Sequence, residues 1–198
     1  MKHFVLATVA LLTFTSAVLA ETYVLDPGHT EVRFYWNHAG LTKQSGEWTK
    51  ISGTIEFDRE NVAATKAVIE IDATSLHTGV EDLDGVLSSP DFFDVETYPT
   101  ITFTSTSAVQ TGADTMRLIG DLVVKDTSVE VALDVKLTFE GTHPLGGAIP
   151  YYEGTWLGVE ATSTLLRTNH AVGLYAPLVS DEVLLEISAE MRAGGWPE

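Results

Sequence analysis

The chain has 198 residues, no cysteine, and 11 Lys and Arg against 28 Asp and Glu, a formal charge of −17 with histidine neutral. The length suits one domain of the usual ~100–200 residues, and the lack of cysteine excludes disulfides, thiol catalysis and thiolate metal sites. The charge repels nucleic-acid phosphates and anionic lipid head groups alike, and without disulfides the fold must rest on buried apolar surface.

Residues 1–20 set the expected compartment. Lys2 and His3 give a basic start, Phe4 to Leu12 is apolar, and Thr13 to Ala20 is smaller and more polar, ending in Val18-Leu19-Ala20. That is the layout of a secretory signal peptide cleaved between Ala20 and Glu21. A transmembrane helix fits less well. A span needs about 20 mostly apolar residues, and Thr8, Thr13, Thr15 and Ser16 interrupt this one. With no cysteine after the cleavage point, a lipoprotein anchor has no acceptor. The expectation is a leader over 1–20 and one soluble exported domain over 21–198, located in the periplasm.

Strand patterns with a period of two dominate from residue 21 onward. In Thr30 to His38, Val32, Phe34, Trp36 and His38 share a face against Glu31, Arg33, Tyr35 and Asn37. Ile51 to Asp58 sets Ile51, Ile55 and Phe57 against Ser52, Thr54, Glu56 and Asp58, and Ala67 to Ala73 sets Ile69 and Ile71 against Glu70 and Asp72. Thr78 to Asp94 breaks the rhythm: Leu83, Val86 and Leu87 fall at helical spacing, and Thr78 with Glu81 reads as a capping box. Ile101 and Phe103 then alternate with threonines, and Met116, Leu118, Leu122 and Val124 form another face. Val129 to Phe139 gives the longest alternation, through Val131, Leu133, Val135 and Leu137. Residues 142–154, rich in Gly and Pro, read as a loop. Trp156 to Thr168 is a longer, less regular strand, and Val183, Leu185, Ile187 and Ala189 close the series before a loose Gly194-Gly195-Trp196-Pro197 tail. Turn residues separate the runs at Asp26-Pro27-Gly28, Asp58-Arg59-Glu60-Asn61, Gly112-Ala113-Asp114 and Lys125-Asp126-Thr127. Half-buried strands with short turns predict an antiparallel sheet. About eight of them in one domain leave two costly edges unless the sheet closes into a barrel.

Several stretches match a known family in order. Tyr23-Val24-Leu25-Asp26-Pro27-Gly28-His29-Thr30 resembles the opening motif of the YceI-like proteins, and Gly46-x-Trp48 with Ser52-Gly53-Thr54-Ile55-Glu56-Phe57-Asp58 resembles the hairpin that follows. The most distinctive piece is Ser89-Pro90-Asp91-Phe92-Phe93-Asp94-Val95-Glu96-x-Tyr98-Pro99-Thr100-Ile101-Thr102-Phe103. Gly120-Asp121-Leu122, Val131-x-Leu133-Asp134-Val135 and Tyr175-Ala176-Pro177 continue the match over nearly all of the mature chain. The resemblance implies an all-β, eight-stranded, lipocalin-like antiparallel barrel that binds polyisoprenoids. Two stretches depart from the pattern. Lys125 to Glu130 lacks the usual His-Gly-Val-Thr-Lys-Pro-like turn, and Arg167-Thr168-Asn169-His170-Ala171 stands where the family often reads Arg-Ser-Asp-Phe-Gly.

The inward faces supply the candidate ligand-lining residues Phe34, Trp36, His38, Phe57, Ile69, Phe103, Leu118, Leu133 and Val135. An alternative is that these side chains simply fill the barrel. His29, His38, His77, His143 and His170 show no metal-ligand spacing, so no metal or cofactor is expected. His38 reads either as a strand-end histidine or as a head-group contact, and His170 is weighed the same way. Arg167 is expected to pair with an acid rather than with a phosphate. No nucleophile motif is present, so catalytic residues are not assigned.

Three functions stay in view. The first is a periplasmic binder, store or carrier of an isoprenoid-type lipid, polyprenyl or quinone-like. The second is a filled barrel serving as a stress-response or membrane-redox interaction partner. The third is a lipocalin-like enzyme on a small apolar substrate. Besides the lipid, a membrane redox protein and a second copy of the chain are candidate partners. The leader makes one direct prediction: protein recovered from the cell envelope begins at Glu21 by intact mass. A soluble cytosolic product that retains Met1 contradicts it.

Overall fold

The computed structural model describes residues 20–196. The leader reading of residues 1–19 therefore lies outside the described residues, as do Pro197 and Glu198. The strands are β1 Glu21–His38, β2 Thr42–Trp48, β3 Ile51–Phe57, β4 Lys66–Asp72, β5 Leu76–His77, β6 Thr100–Gln110, β7 Thr115–Val124, β8 Thr127–Thr142, β9 Thr155–Leu166 and β10 Glu182–Ala193. One short helix, α1 Glu81–Ser88, lies between β5 and β6.

These segments form eight antiparallel staves. β2 pairs with the C-terminal half of β1, with Val32 opposite Trp48, while β3 pairs with its N-terminal half, with Tyr23 opposite Ile55. β2 and β3 are thus two halves of one bent stave. β4 and β5 form another, interrupted by a single 3-10 turn at Ala73–Ser75. The staves follow each other around the ring in chain order, and β10 pairs with β1, Val32 opposite Ile187, to close it. Closure gives every stave a neighbour on both sides, although the two-residue β5 is itself bonded only to β2. The eight-stranded barrel read from the periodicity is the one observed.

The inward phase follows the sequence along most staves, with one reversal. On β8, Val131, Val135 and Leu137 are buried, but Phe139 is exposed. The β8–β9 register shifts between Leu137 and Phe139, and such a bulge turns the following side chain to the opposite face. The helix also differs from its reading. α1 begins at Glu81 with Val80 as its N-cap and no side-chain cap bond. Thr78 instead donates to the Asp84 carboxylate through both its hydroxyl (2.6 Å) and its backbone N–H (2.7 Å). Residues 143–154 form the expected loop, containing a 3-10 turn at Pro150–Tyr152, while Thr142 is still in β8 and pairs with Thr155. The tail is not loose at Trp196, which stacks on Tyr151 at 5.0 Å and meets Trp156 edge-on at 5.6 Å.

The two ends of the barrel are built differently. The end carrying the β3–β4, β6–β7 and β8–β9 connections is filled by Phe57, Phe103, Leu118, Val135, Leu157 and Met191, all buried. Phe103 lies across Gly120, where a Cβ atom would sit 2.7 Å from its ring; glycine is what lets the ring settle there. The Asp26-Pro27-Gly28 turn is a bulge inside β1, between Leu25 and Thr30. Fully buried Asp26 locks it. One carboxylate oxygen accepts from the Gly28 N–H (2.8 Å) and the Tyr151 hydroxyl (2.7 Å), and the other accepts from His29 Nδ1 (2.7 Å). Burial pushes the Asp26 carboxyl up, but the bonds from His29, Gly28 and Tyr151 outweigh it and hold the pKa below the ordinary carboxylate value. The same bond raises the pKa of His29 above its usual 6.5.

Two predictions follow from the filled end and its lock. Phe103→Ala, which opens a hole in packed core, is expected to cost about 3–5 kcal/mol in denaturant unfolding; a change below about 1 kcal/mol contradicts the filled floor. The His29–Asp26 pair stabilises the fold most when His29 is charged. A raised folded-state pKa gives stability that is complete below the unfolded value and is lost as pH rises through the folded one. The stability gap between wild type and His29→Ala should therefore be widest below 6.5 and shrink at alkaline pH. A gap that is flat across this range refutes the linkage.

Candidate functional site

At the opposite end the side chains do not meet across the barrel, and a cavity of about 270 Å³ remains. This lies just below the usual range for cavities that hold small molecules, roughly 300–1,000 Å³. β1 supplies Val32, Phe34, Trp36 and His38 to its wall, and β2 supplies Trp48. Ile71, Ile101, Leu122 and Val124 add aliphatic wall from β4, β6 and β7. Leu83, Val86 and Leu87 of α1 cover one side, followed by Phe92 and Phe93. The β9–β10 loop covers the other with Arg167, His170, Val172, Tyr175 and Val179. Val86, Tyr175 and His38 line the cavity and are also exposed to solvent, so they mark its mouth.

An aromatic series runs along the wall. Phe34 stacks with Trp36 at 5.6 Å and lies 4.7 Å from Trp48, which meets Phe93 edge-on at 5.5 Å. Phe34 takes this position because its cross-strand partner is Gly46. A Cβ there would lie 2.5 Å from the Phe34 ring, and any larger residue would push Phe34 into the cavity.

Polar groups in the wall are few. Arg167 does not pair with an acid as expected. Its guanidinium donates to the backbone carbonyls of Ser180 (2.9 Å), Val172 (2.7 Å), Leu174 (3.3 Å) and Val179 (3.0 Å). It therefore acts as the staple that folds the β9–β10 loop back on itself. The loop is also tied to the end of β1, where the Ser180 N–H donates to the Asn37 carbonyl and Ser180 Oγ accepts from the Asn37 N–H. His170 closes the 3-10 turn Arg167–His170 and is buried, with Nδ1 lacking any partner. Burial pushes its pKa below the usual 6.5, so the ring is neutral at neutral pH. Trp48 Nε1 is a second buried nitrogen without a partner. A buried polar atom left unsatisfied costs about 1–3 kcal/mol, so two of them in one apolar wall is a notable concentration.

Three of the nine candidate lining residues, Phe34, Trp36 and His38, stand in the cavity wall. The other six do not. Phe57, Phe103, Leu118 and Val135 are buried in the packed core, and Ile69 and Leu133 are partly buried against it. They share the inward phase but belong to the filled end or the barrel waist. The wall residues that strand periodicity missed are Trp48 and Leu165 on strands and those of α1, of the Phe92-Phe93 segment after it and of the β9–β10 loop. Of these, Leu83, Val86 and Leu87 carried a legible helical spacing, and the loop residues carried none.

Asp26, His29 and Glu190 offer ligand atoms within 4.8 Å of one another. They lie at the filled end, away from the cavity, and both Asp26 oxygens already accept hydrogen bonds from protein donors. The cluster is thus explained by the bulge it locks.

Comparison with known proteins agrees with this architecture. The model of the YceI-like domain matches residues 23–191. Protein YceI of Escherichia coli O157:H7 is 37% identical over 143 residues, covering 71% of this chain and 74% of the relative. A UPF0312 protein of Vibrio cholerae is 30% identical over 148 residues, covering 74% and 78%. Among solved structures, Burkholderia cenocepacia BcnA superposes with a TM-score of 0.73 at 21% identity, covering 84% of this chain and 98% of that one. A polyisoprenoid binding domain from Saccharophagus degradans superposes with a TM-score of 0.59 at 16% identity, covering 89% and 99%. At these identities the two structures speak for the fold, while the family model and the closer sequence relatives speak for descent: the chain belongs to the YceI-like family.

Proposed function

We propose that this protein is a periplasmic binding protein for an isoprenoid-type lipid, polyprenyl or quinone-like, held in the cavity at the open end and stored or carried without chemical change. The observation that carries the reading is the cavity itself. Its wall is almost wholly aliphatic and aromatic, and its floor is closed by packed core. The match between this barrel and a polyisoprenoid binding domain supports the same ligand class. Among the described residues that line the wall there is no Ser, Asp, Glu or Lys. The histidines there consequently have no nucleophile or carboxylate partner to activate. Among the described residues no helix is long and apolar enough to cross a membrane.

Volume bounds what is held. A cavity of about 270 Å³ takes the leading part of a prenyl chain, and a longer chain must run out through the mouth beside Val86 and Tyr175. Each five-carbon unit removed from water is worth about 4 kcal/mol, at ~0.8 per methylene-sized group. A bilayer offers nearly the same environment, so net transfer from membrane to protein is small and exchange is reversible.

The test is organic extraction of protein purified without detergent, followed by mass spectrometry, on wild type and Phe34→Ala. Wild type should yield a prenyl lipid in near-stoichiometric amount, and Phe34→Ala should retain less or a different one. No lipid from wild type, together with a full core-type loss of stability in Phe34→Ala, rejects the binder reading.

A further inference from the structure

We propose that His170 makes the cavity selective for an uncharged lipid bearing a hydroxyl or carbonyl oxygen, in preference to the bare hydrocarbon chain or a phosphate-capped one. The proposal rests on the lipid-binding reading above and specifies the polar group that the same site takes.

The His170 side chain is 4% exposed, lines the cavity, and leaves Nδ1 without a partner. It cannot readily swing out to water. Ala171 caps the turn in the left-handed conformation, the Val172 N–H bonds back to the Arg167 carbonyl at 3.2 Å, and the Arg167 guanidinium grips the loop on four carbonyls. A buried polar atom held this firmly calls for a partner from the ligand or from a trapped water. Trp48 Nε1, the second unpartnered nitrogen of the wall, can only donate, so it calls for an acceptor.

The shortage of free donors disfavours an anionic head within the wall. Among the described residues that line the wall Arg167 is the only guanidinium, and it is already committed to backbone carbonyls. A phosphate placed beside it would find almost no free N–H donor for its oxygens, and desolvating a multiply charged head against an apolar wall without them is strongly unfavourable. An oxygen on a neutral head meets both needs: it accepts from an N–H, and as a hydroxyl it also donates to a bare ring nitrogen.

The experiment uses the delipidated full mature protein and a twenty-carbon prenyl chain in four forms: alcohol, aldehyde, hydrocarbon and monophosphate. Binding is read from the emission of the wall tryptophans Trp36 and Trp48. The comparison variant is His170→Phe, with His170→Leu as a smaller replacement, and each is checked for a cooperative unfolding transition. Wild type should bind the alcohol or the aldehyde at least about tenfold more tightly than the hydrocarbon. His170→Phe should remove most of that preference while keeping hydrocarbon affinity. Preference for the alcohol indicates that the His170 ring accepts, and preference for the aldehyde that it donates. Equal binding of all forms, tightest binding of the monophosphate, or a preference unchanged in both variants overturns the role of His170 but leaves the binder standing. Failure of all four forms to bind wild type overturns the lipid-binding reading and this proposal with it.

Discussion

β1 has two edges and must satisfy three strands. Along one edge it holds β10, which closes the ring; along the other it holds β3 at its N-terminal half and β2 at its C-terminal half. Backbone N–H and C=O groups that leave water must find partners, so the β2–β3 stave has to bend where it passes from one half of β1 to the other. The functional asymmetry follows this division. The N-terminal half of β1 carries the Asp26 lock and faces packed core. The C-terminal half carries Phe34, Trp36 and His38 into the cavity wall.

Side-chain size and placement decide which end is full. At the packed end, Phe57 and Phe103 meet Leu118, Val135 and Met191 across the interior. Gly120 leaves room for the Phe103 ring to lie flat against the sheet. At the other end the large rings of Phe34, Trp36 and Trp48 stack on one another along the wall rather than reaching across it. The cover comes from outside the barrel, from α1 on one side and the stapled β9–β10 loop on the other. Two covers of separate sequence origin, each anchored at its own base, leave a mouth between them.

Much of the architecture was legible because the period of two is a local property of the backbone. Alternation at Val32-x-Phe34-x-Trp36 or Val131-x-Leu133-x-Val135 shows which way each side chain points, and the structure keeps those directions. Phase carries no information on height along the barrel axis. That is why Phe103 and Phe34, both inward, fall into floor and wall respectively. Phe139 was misread for a related reason. A bulge depends on how β8 meets β9, which no pattern within β8 reveals. Arg167 resisted reading because its partners are loop carbonyls, and a carbonyl leaves no residue-specific mark in sequence. Trp196 in the tail found its partners in Tyr151 and Trp156, contacts between segments distant along the chain.

The central claim is that one end of the barrel is solid and the other holds a lipid chain. The most direct measurement is a crystal structure of the protein as purified from its native compartment without detergent. The account predicts elongated density that enters beside Val86 and Tyr175, passes Phe34 and Trp48, and stops above Phe103 and Leu118. A cavity closed by inward movement of α1 or the β9–β10 loop with no such density, or density confined to the outer surface, would contradict it.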